Sequence, residues 1–221
     1  MAEIAFSRPD GVTCRGYLAE PADAGNGRGI VIIHEMWGLA PPIVEMAERC
    51  AREGYRALVP DLFRGRRAGD VKEGLAMMAA LDMSDAVEQD LRGAAQWMKR
   101  TGSKLAALGF CMGGALSIVA AARLPELHAA VCFYGVPPAE LIDARAIEVP
   151  LLGHFAKLDD WCTPAKVDAL EHELRASGAD YELYRYDAAH AFMNREGHGY
   201  SEAAAALAWQ RTLAFLEQKL R

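Results

Sequence analysis

The chain has 221 residues, of which 52% are hydrophobic and 24% charged, with a formal net charge of −6. That length fits one α/β domain and is tight for two, and its core needs no metal or disulfide support. Acidic and basic residues are interspersed, which leaves no basic footprint for a nucleic acid.

Two short strands open the chain, Ile4–Phe6 and Val12–Ala19, joined by a turn at Pro9-Asp10-Gly11. The unbroken β-branched run Gly29–His34 has the pattern of a strand buried on both faces of a parallel sheet. A helix over Pro42–Glu53 ends at Gly54, and a strand covers Tyr55–Val59. Helices are predicted at Lys72–Leu81 and Ser84–Arg100, with Asp70 and Asp82 or Ser84 as caps. The alternation then sharpens: strand Leu105–Phe110, helix Met112–Leu124, strand Ala129–Tyr134 and strand Leu151–Phe155. Thr163-Pro164 opens another helix, Tyr181–Tyr186 forms the last strand, and Glu202–Leu220 the last helix. This rhythm predicts one α/β domain spanning residues 1–221, a doubly wound, mostly parallel sheet with helices on both faces.

Five cysteines (Cys14, Cys50, Cys111, Cys132 and Cys162) form no CxxC pair and no zinc-like cluster, and no pair of histidines has metal-ligand spacing. No metal or cofactor is expected, and the compartment is expected to be reducing. The opening residues lack a basic stretch followed by an apolar core, and no apolar run is long enough to span a bilayer. The expectation is a cytoplasmic protein with no membrane partner, a monomer or small homo-oligomer.

In such sheets, sites form in the loops leaving the carboxyl ends of strands. After Leu105–Phe110 comes Gly109-Phe110-Cys111-Met112-Gly113-Gly114, a G-x-C-x-G elbow between a strand and a helix. Small residues are needed there because a nucleophile on so tight a turn brings strand and helix together. The helix N-terminus also offers N–H groups to a thiolate or an oxyanion. The order nucleophile, acid, histidine is then completed by Asp159 or Asp160 and by His190. His190 is the candidate base, and Asp159, nearer the strand end, is the favoured orienting acid. His34 and His154 end buried strands, where local hydrogen bonds are expected; His128, His172 and His198 lie in polar stretches.

These residues resemble the dienelactone hydrolases (carboxymethylenebutenolidases). The likeness covers nearly the whole chain and rests on His34-Glu35-Met36-Trp37-Gly38, Val59-Pro60-Asp61-Leu62-Phe63 and the Gly109–Gly114 elbow. Tyr134-Gly135-Val136, the Asp159 loop and His190-Ala191-Phe192 complete it. The resemblance implies the α/β-hydrolase fold and a Cys111–His190–Asp159 triad acting on a small ester or lactone of the kind met in aromatic degradation. It further implies an oxyanion hole from the backbone N–H groups of Met36 and Met112, and a carboxylate, Glu35, beside the thiol. Tyr134, Trp37, Phe192 and Arg195 are the expected substrate contacts. Two positions depart from the family's pattern. Asn194 stands where an arginine would bind a substrate carboxylate, with Arg195 next to it. The segment Ala68–Lys72 also lacks an arginine, with Arg66 and Arg67 only upstream, and Met77 and Met78 replace aromatics. Either a neighbouring arginine substitutes, or the substrate differs. A neutral-ester or thioester hydrolase, a non-catalytic binder and a thiol sensor are the alternative readings.

Overall fold

The computed structural model describes residues 2–23, 25–100 and 104–221. Eight strands form one sheet in the order β1-β2-β4-β3-β5-β6-β7-β8. Strands β1 (Ala2–Ser7) and β2 (Thr13–Ala19) pair antiparallel, and β2 meets β4 (Arg56–Pro60) antiparallel. All other neighbours run parallel: β3 (Arg28–Ile33), β4, β5 (Lys104–Phe110), β6 (Ala129–Phe133), β7 (Leu151–Leu158) and β8 (Tyr181–Ala189).

Alternation along β3 shows how the sheet is covered. Val31 and Ile33 join the core on one face, with residues of α2 (Val71–Ala79), α4 (Arg92–Lys99), α5 (Met112–Arg123) and α6 (Pro164–Ser177). Ile30 and Ile32 join the core on the other, with α1 (Pro41–Arg52) and α7 (Glu202–Lys219). Both faces being buried explains why β3 reads as a continuous apolar run rather than an alternating one.

The caps fall where the sequence places them. The Asp70 carboxylate accepts from the Glu73 N–H at 2.8 Å to start α2, and Thr163 accepts from Lys166 N–H to start α6. The helix predicted over Ser84–Arg100 is interrupted. A short α3 (Met83–Asp85), capped by Asp82, runs into a π-helical turn at Ala86–Leu91 before α4. That widened turn carries Asp90, fully buried, to Arg8 at 3.3 Å and to Arg64 at 2.8 Å. Two guanidiniums thus compensate one buried carboxylate; Arg8 ties the β1–β2 turn to this helix, and Arg64 ties the loop after β4 to it.

At the other edge, β7 and β8 each run three residues beyond the predicted strands, and their pairing slips at a bulge between Ala156 and Leu158. The last helix is locked on by hydrogen bonds through the sheet. Buried His154 on β7 lies 3.0 Å from Thr212 Oγ1 and 2.8 Å from the Tyr186 hydroxyl, and Thr212 in turn donates to the Ala208 carbonyl. Burial lowers the His154 pKa to about 3, which leaves it neutral.

The close approach of β5 and α5 leaves no space for side chains. A Cβ on Gly109 would collide with the Gly113 carbonyl, and one on Gly113 with the Ile33 carbonyl. Gly113→Ala is therefore expected to destabilise the fold by about 2 kcal/mol or more. Gly69→Ala, whose Cβ would meet only the Glu73 carboxylate at 3.5 Å, should stay within about 0.5 kcal/mol of the wild type. Urea unfolding of both variants checks the contrast.

Candidate active site

The strand order turns back between β3 and β5: β4 lies on one side of β3, and β5 to β8 follow on the other. Crevices form at the carboxyl ends of strands at such a point. The loops that meet there are His34–Gly38 after β3 and the elbow after β5.

Cys111 sits on the elbow at φ 54°, ψ −117°, a conformation that side chains rarely adopt. It is held from both sides. Its N–H donates to the Phe133 carbonyl at 3.0 Å, and its carbonyl accepts from Ala115 N–H at 3.1 Å. The strain turns the side chain out of the sheet at the start of α5, where the Met112 N–H reaches the sulfur.

The bulge between β7 and β8 does the complementary job. It brings Leu158 opposite Ala189, so Asp159 and His190 each follow directly on a paired position of adjacent strands. His190 Nδ1 lies 2.8 Å from Asp159 Oδ2, and His190 Nε2 lies 3.2 Å from Cys111 Sγ. The other Asp159 oxygen accepts from the N–H groups of Trp161 and Cys162, both at 2.8 Å. Burial pushes the Asp159 pKa up, but the bonds from His190, Cys162 and Trp161 outweigh it and hold the carboxyl below its usual range. Asp160 is exposed, so Asp159 is the carboxylate that meets the imidazole. With Nδ1 donating to the carboxylate, Nε2 is free to accept from the thiol.

Glu35 stands on the opposite side. Its carboxylate accepts from the Tyr134 hydroxyl at 3.3 Å and from the Asn194 amide at 3.4 Å. Burial raises its pKa, partly offset by His190 and by these two bonds. The Cys111 thiol is pushed well up, first by burial and then by the Glu35 charge, against a small opposing effect of the Met112 N–H. Both effects favour the neutral thiol over the thiolate in the resting site.

A cavity of about 40 Å³ opens beside Glu35, lined by Trp37, Ile43, Met46, Phe110, Tyr134 and Asn194 among others. Trp37 and Tyr134, two of the expected substrate contacts, line this cavity. Phe192 does not: it is fully buried beneath Tyr134, edge-on at 5.2 Å. Arg195 also turns away, towards Glu45 at 3.8 Å, and borders a separate depression against α1. Arg66 and Arg67 are exposed and Met77 is buried in the core. Met36 packs its side chain against Gly74 on α2, and Met112 is buried at the first turn of α5.

Sequence reasoning passed over two residues. The sequence marks Asn194 only as the place of an absent arginine, yet its amide donates to Glu35. Cys162 donates to the Tyr134 carbonyl at 3.1 Å, and its sulfur lies within 4.8 Å of ligand-type atoms of Asp159 and His190. That trio has the donor set of a soft-metal site, but its members are already bonded to one another and to Tyr134, as suits an acid–base pair. Its only sequence signal was the three-residue spacing from Asp159.

Glu35→Gln removes the charge and should lower the thiol pKa, so iodoacetamide should modify Cys111 about tenfold faster near neutral pH, one pKa unit's worth. In the wild type the rate should still climb above about pH 9, where an ordinary thiol has levelled. A rate unchanged by Glu35→Gln, read by mass spectrometry over time, refutes this electrostatic coupling.

Residues 14–220 match the model of the dienelactone hydrolase family. Protein usf of Aquifex pyrophilus is 32% identical over 232 residues, and a candidate carboxymethylenebutenolidase of Aquifex aeolicus 28% over 233, each covering 100% of both chains. A crystal structure of a candidate dienelactone hydrolase from Klebsiella pneumoniae superposes with a TM-score of 0.88 at 28% identity, covering 98% of each chain. An elbow carrying cysteine, the matched sheet and a model spanning nearly the whole chain agree: the protein has the α/β-hydrolase fold and belongs to the dienelactone hydrolase family of carboxylic ester hydrolases.

Proposed function

We propose that the protein hydrolyses a small, uncharged ester or lactone, with Cys111 as nucleophile, His190 as base and Asp159 as orienting acid. The observation that carries this reading is the continuous chain Cys111 Sγ–His190–Asp159, at 3.2 and 2.8 Å, on a strained elbow at a helix N-terminus. Cys111 sulfur attacks the carbonyl carbon while its proton passes to His190 Nε2. The carbonyl π pair moves to oxygen, which the N–H groups of Met36 and Met112 receive. Collapse of the intermediate expels the leaving oxygen, protonated by His190, and leaves a thioester on Cys111. Water, deprotonated by His190, attacks that thioester and returns the thiol. Asp159 holds the imidazole with Nε2 facing sulfur and stabilises the imidazolium.

Because the resting thiol is neutral, attack is coupled to proton transfer rather than waiting on a preformed thiolate. The same neutrality supports resistance to oxidation, since the thiolate is the species that oxidants attack. The cavity holds little more than two or three waters, so a larger substrate that enters it must displace part of its lining, which includes Glu35.

The cavity lining also favours an uncharged acyl group over the anionic lactones of the family's name. Among the described residues no arginine or lysine lines it, and Glu35, a carboxylate, does. A substrate carboxylate there would meet repulsion in a desolvated space. Without turnover, the same site would serve as a small-molecule binder or thiol sensor, so the assay separates these readings.

Steady-state hydrolysis of a neutral activated ester should exceed that of a carboxylated enol-lactone and vanish in Cys111→Ala. Preference for the lactone would mean that an arginine such as Arg195 or Arg66 swings in; no Cys111-dependent turnover of either would remove the hydrolase reading. Asp159→Asn should lower kcat by about 10³- to 10⁴-fold. Asp160→Asn should stay within about threefold, because its side chain is exposed. Equal losses in the two variants would overturn the assignment of the acid.

A further inference from the structure

His34 follows β3 directly and is fully buried. Its Nε2 accepts from the backbone N–H of Leu62 at 3.2 Å, which places the proton of the neutral ring on Nδ1. Nδ1 donates to the Glu35 carbonyl oxygen at 2.7 Å. The Gly38 N–H donates to the same oxygen at 3.2 Å, so that oxygen is held by two donors.

The Glu35–Met36 peptide is trans, and in a trans peptide C=O and N–H point in opposite directions. Anchoring the Glu35 oxygen therefore fixes the direction of the Met36 N–H. The anchor is itself held. The ring packs on Phe63 with centroids 4.9 Å apart, and the Asp61 carboxylate accepts from the Phe63 and Gly65 N–H groups, bracing the loop that carries Leu62. Burial lowers the His34 pKa, so the ring stays neutral and Nε2 stays an acceptor.

We propose that His34 is a positioning residue for the oxyanion hole: it locks the Glu35–Met36 peptide plane and so aims the Met36 N–H at the developing charge. This rests on the hydrolase reading above, in which that N–H is a donor. His34 touches neither substrate nor sulfur in this role; it acts through the peptide.

A test compares wild type, His34→Asn and His34→Leu in three reactions. The first is Cys111-dependent hydrolysis of p-nitrophenyl acetate. The second is reversible addition of a trifluoromethyl ketone to Cys111. There the S–C bond forms, the carbonyl π pair becomes an oxyanion, and the thiol proton goes to His190. The third is alkylation by iodoacetamide, in which sulfur displaces iodide and no oxyanion forms. For His34→Leu, kcat and ketone affinity should each fall about 10²-fold, while KM and the alkylation rate stay within about threefold. His34→Asn puts an amide N–H near the place of Nδ1 and should recover activity to within about tenfold of wild type.

Loss of alkylation in parallel with kcat would reveal a general structural defect and overturn the proposal, as would unchanged kcat and ketone affinity in His34→Leu. Failure of asparagine to restore either readout counts against it equally. Should the leucine variant not fold, His34→Gln, which can accept from Leu62 without reaching back to Glu35, takes its place with the same expected losses. If wild type binds the ketone but hydrolyses no ester, the hydrolase reading fails and the ketone affinities still decide the role of His34. If wild type binds no ketone at Cys111, both readings fall.

Discussion

Strand β5 and helix α5 touch backbone to backbone beneath Cys111, and the placement of the sulfur around which the site is arranged follows from that contact. Gly109 and Gly113 meet where neither tolerates a Cβ, and Gly113 also abuts the Ile33 carbonyl at the end of β3. The helix start is thereby wedged against two strands. The residue between them must take the strained positive-φ conformation of Cys111, which projects its sulfur from the sheet. Strain of this sort costs on the order of 1–3 kcal/mol and persists only when the surroundings over-determine it. Here the Phe133 carbonyl and the Ala115 N–H do so.

Around that fixed sulfur the two sides of the site are electrostatically opposed. On one side, Asp159 is held ionised by three donors and orients His190 to take a proton. On the other, Glu35 is held by two long, weak bonds in a place that disfavours its charge. One carboxylate is built to stay where it is, and the other is only loosely restrained. A ligand that moved Glu35 would relieve the desolvation of that carboxylate and the repulsion on the thiol together. Binding energy could thus be coupled to activation of the nucleophile, without any movement of His190 or Asp159.

Much of this was legible in the chain because it is local. The elbow declares itself through Gly109, Cys111, Gly113 and Gly114 in one hexapeptide, and β3 through its apolar run. Asp159 could be preferred to Asp160 from its nearness to the strand end, although the strand proved three residues longer than its apolar pattern suggested. Lys157 and Leu158 extend β7 because pairing with β8 continues past the buried stretch, and hydropathy does not report pairing. The π-helical turn was hidden for a similar reason. It exists to meet Arg8 and Arg64, 82 and 26 residues away in sequence. Arg195 looked able to replace an absent arginine one position earlier, but adjacent residues leave a loop in different directions, and it points to α1. Asn194, which holds the place of that arginine, faces inward and bonds Glu35.

The order of strands across the sheet carries a consequence for how the molecule is made. From β3 onward, β5, β6, β7 and β8 each add to the same growing edge in the sequence in which the chain is synthesised. A nascent chain can therefore lay down its sheet vectorially, the elbow settling onto β3 before the histidine loop exists. Until α7 emerges, however, one face of β6 and β7 lacks its cover, and His154 lacks Thr212. The final helix acts as a closing clasp, so a ribosome stalled shortly before it would display an almost complete sheet with an adhesive apolar flank, the kind of surface that chaperones grip.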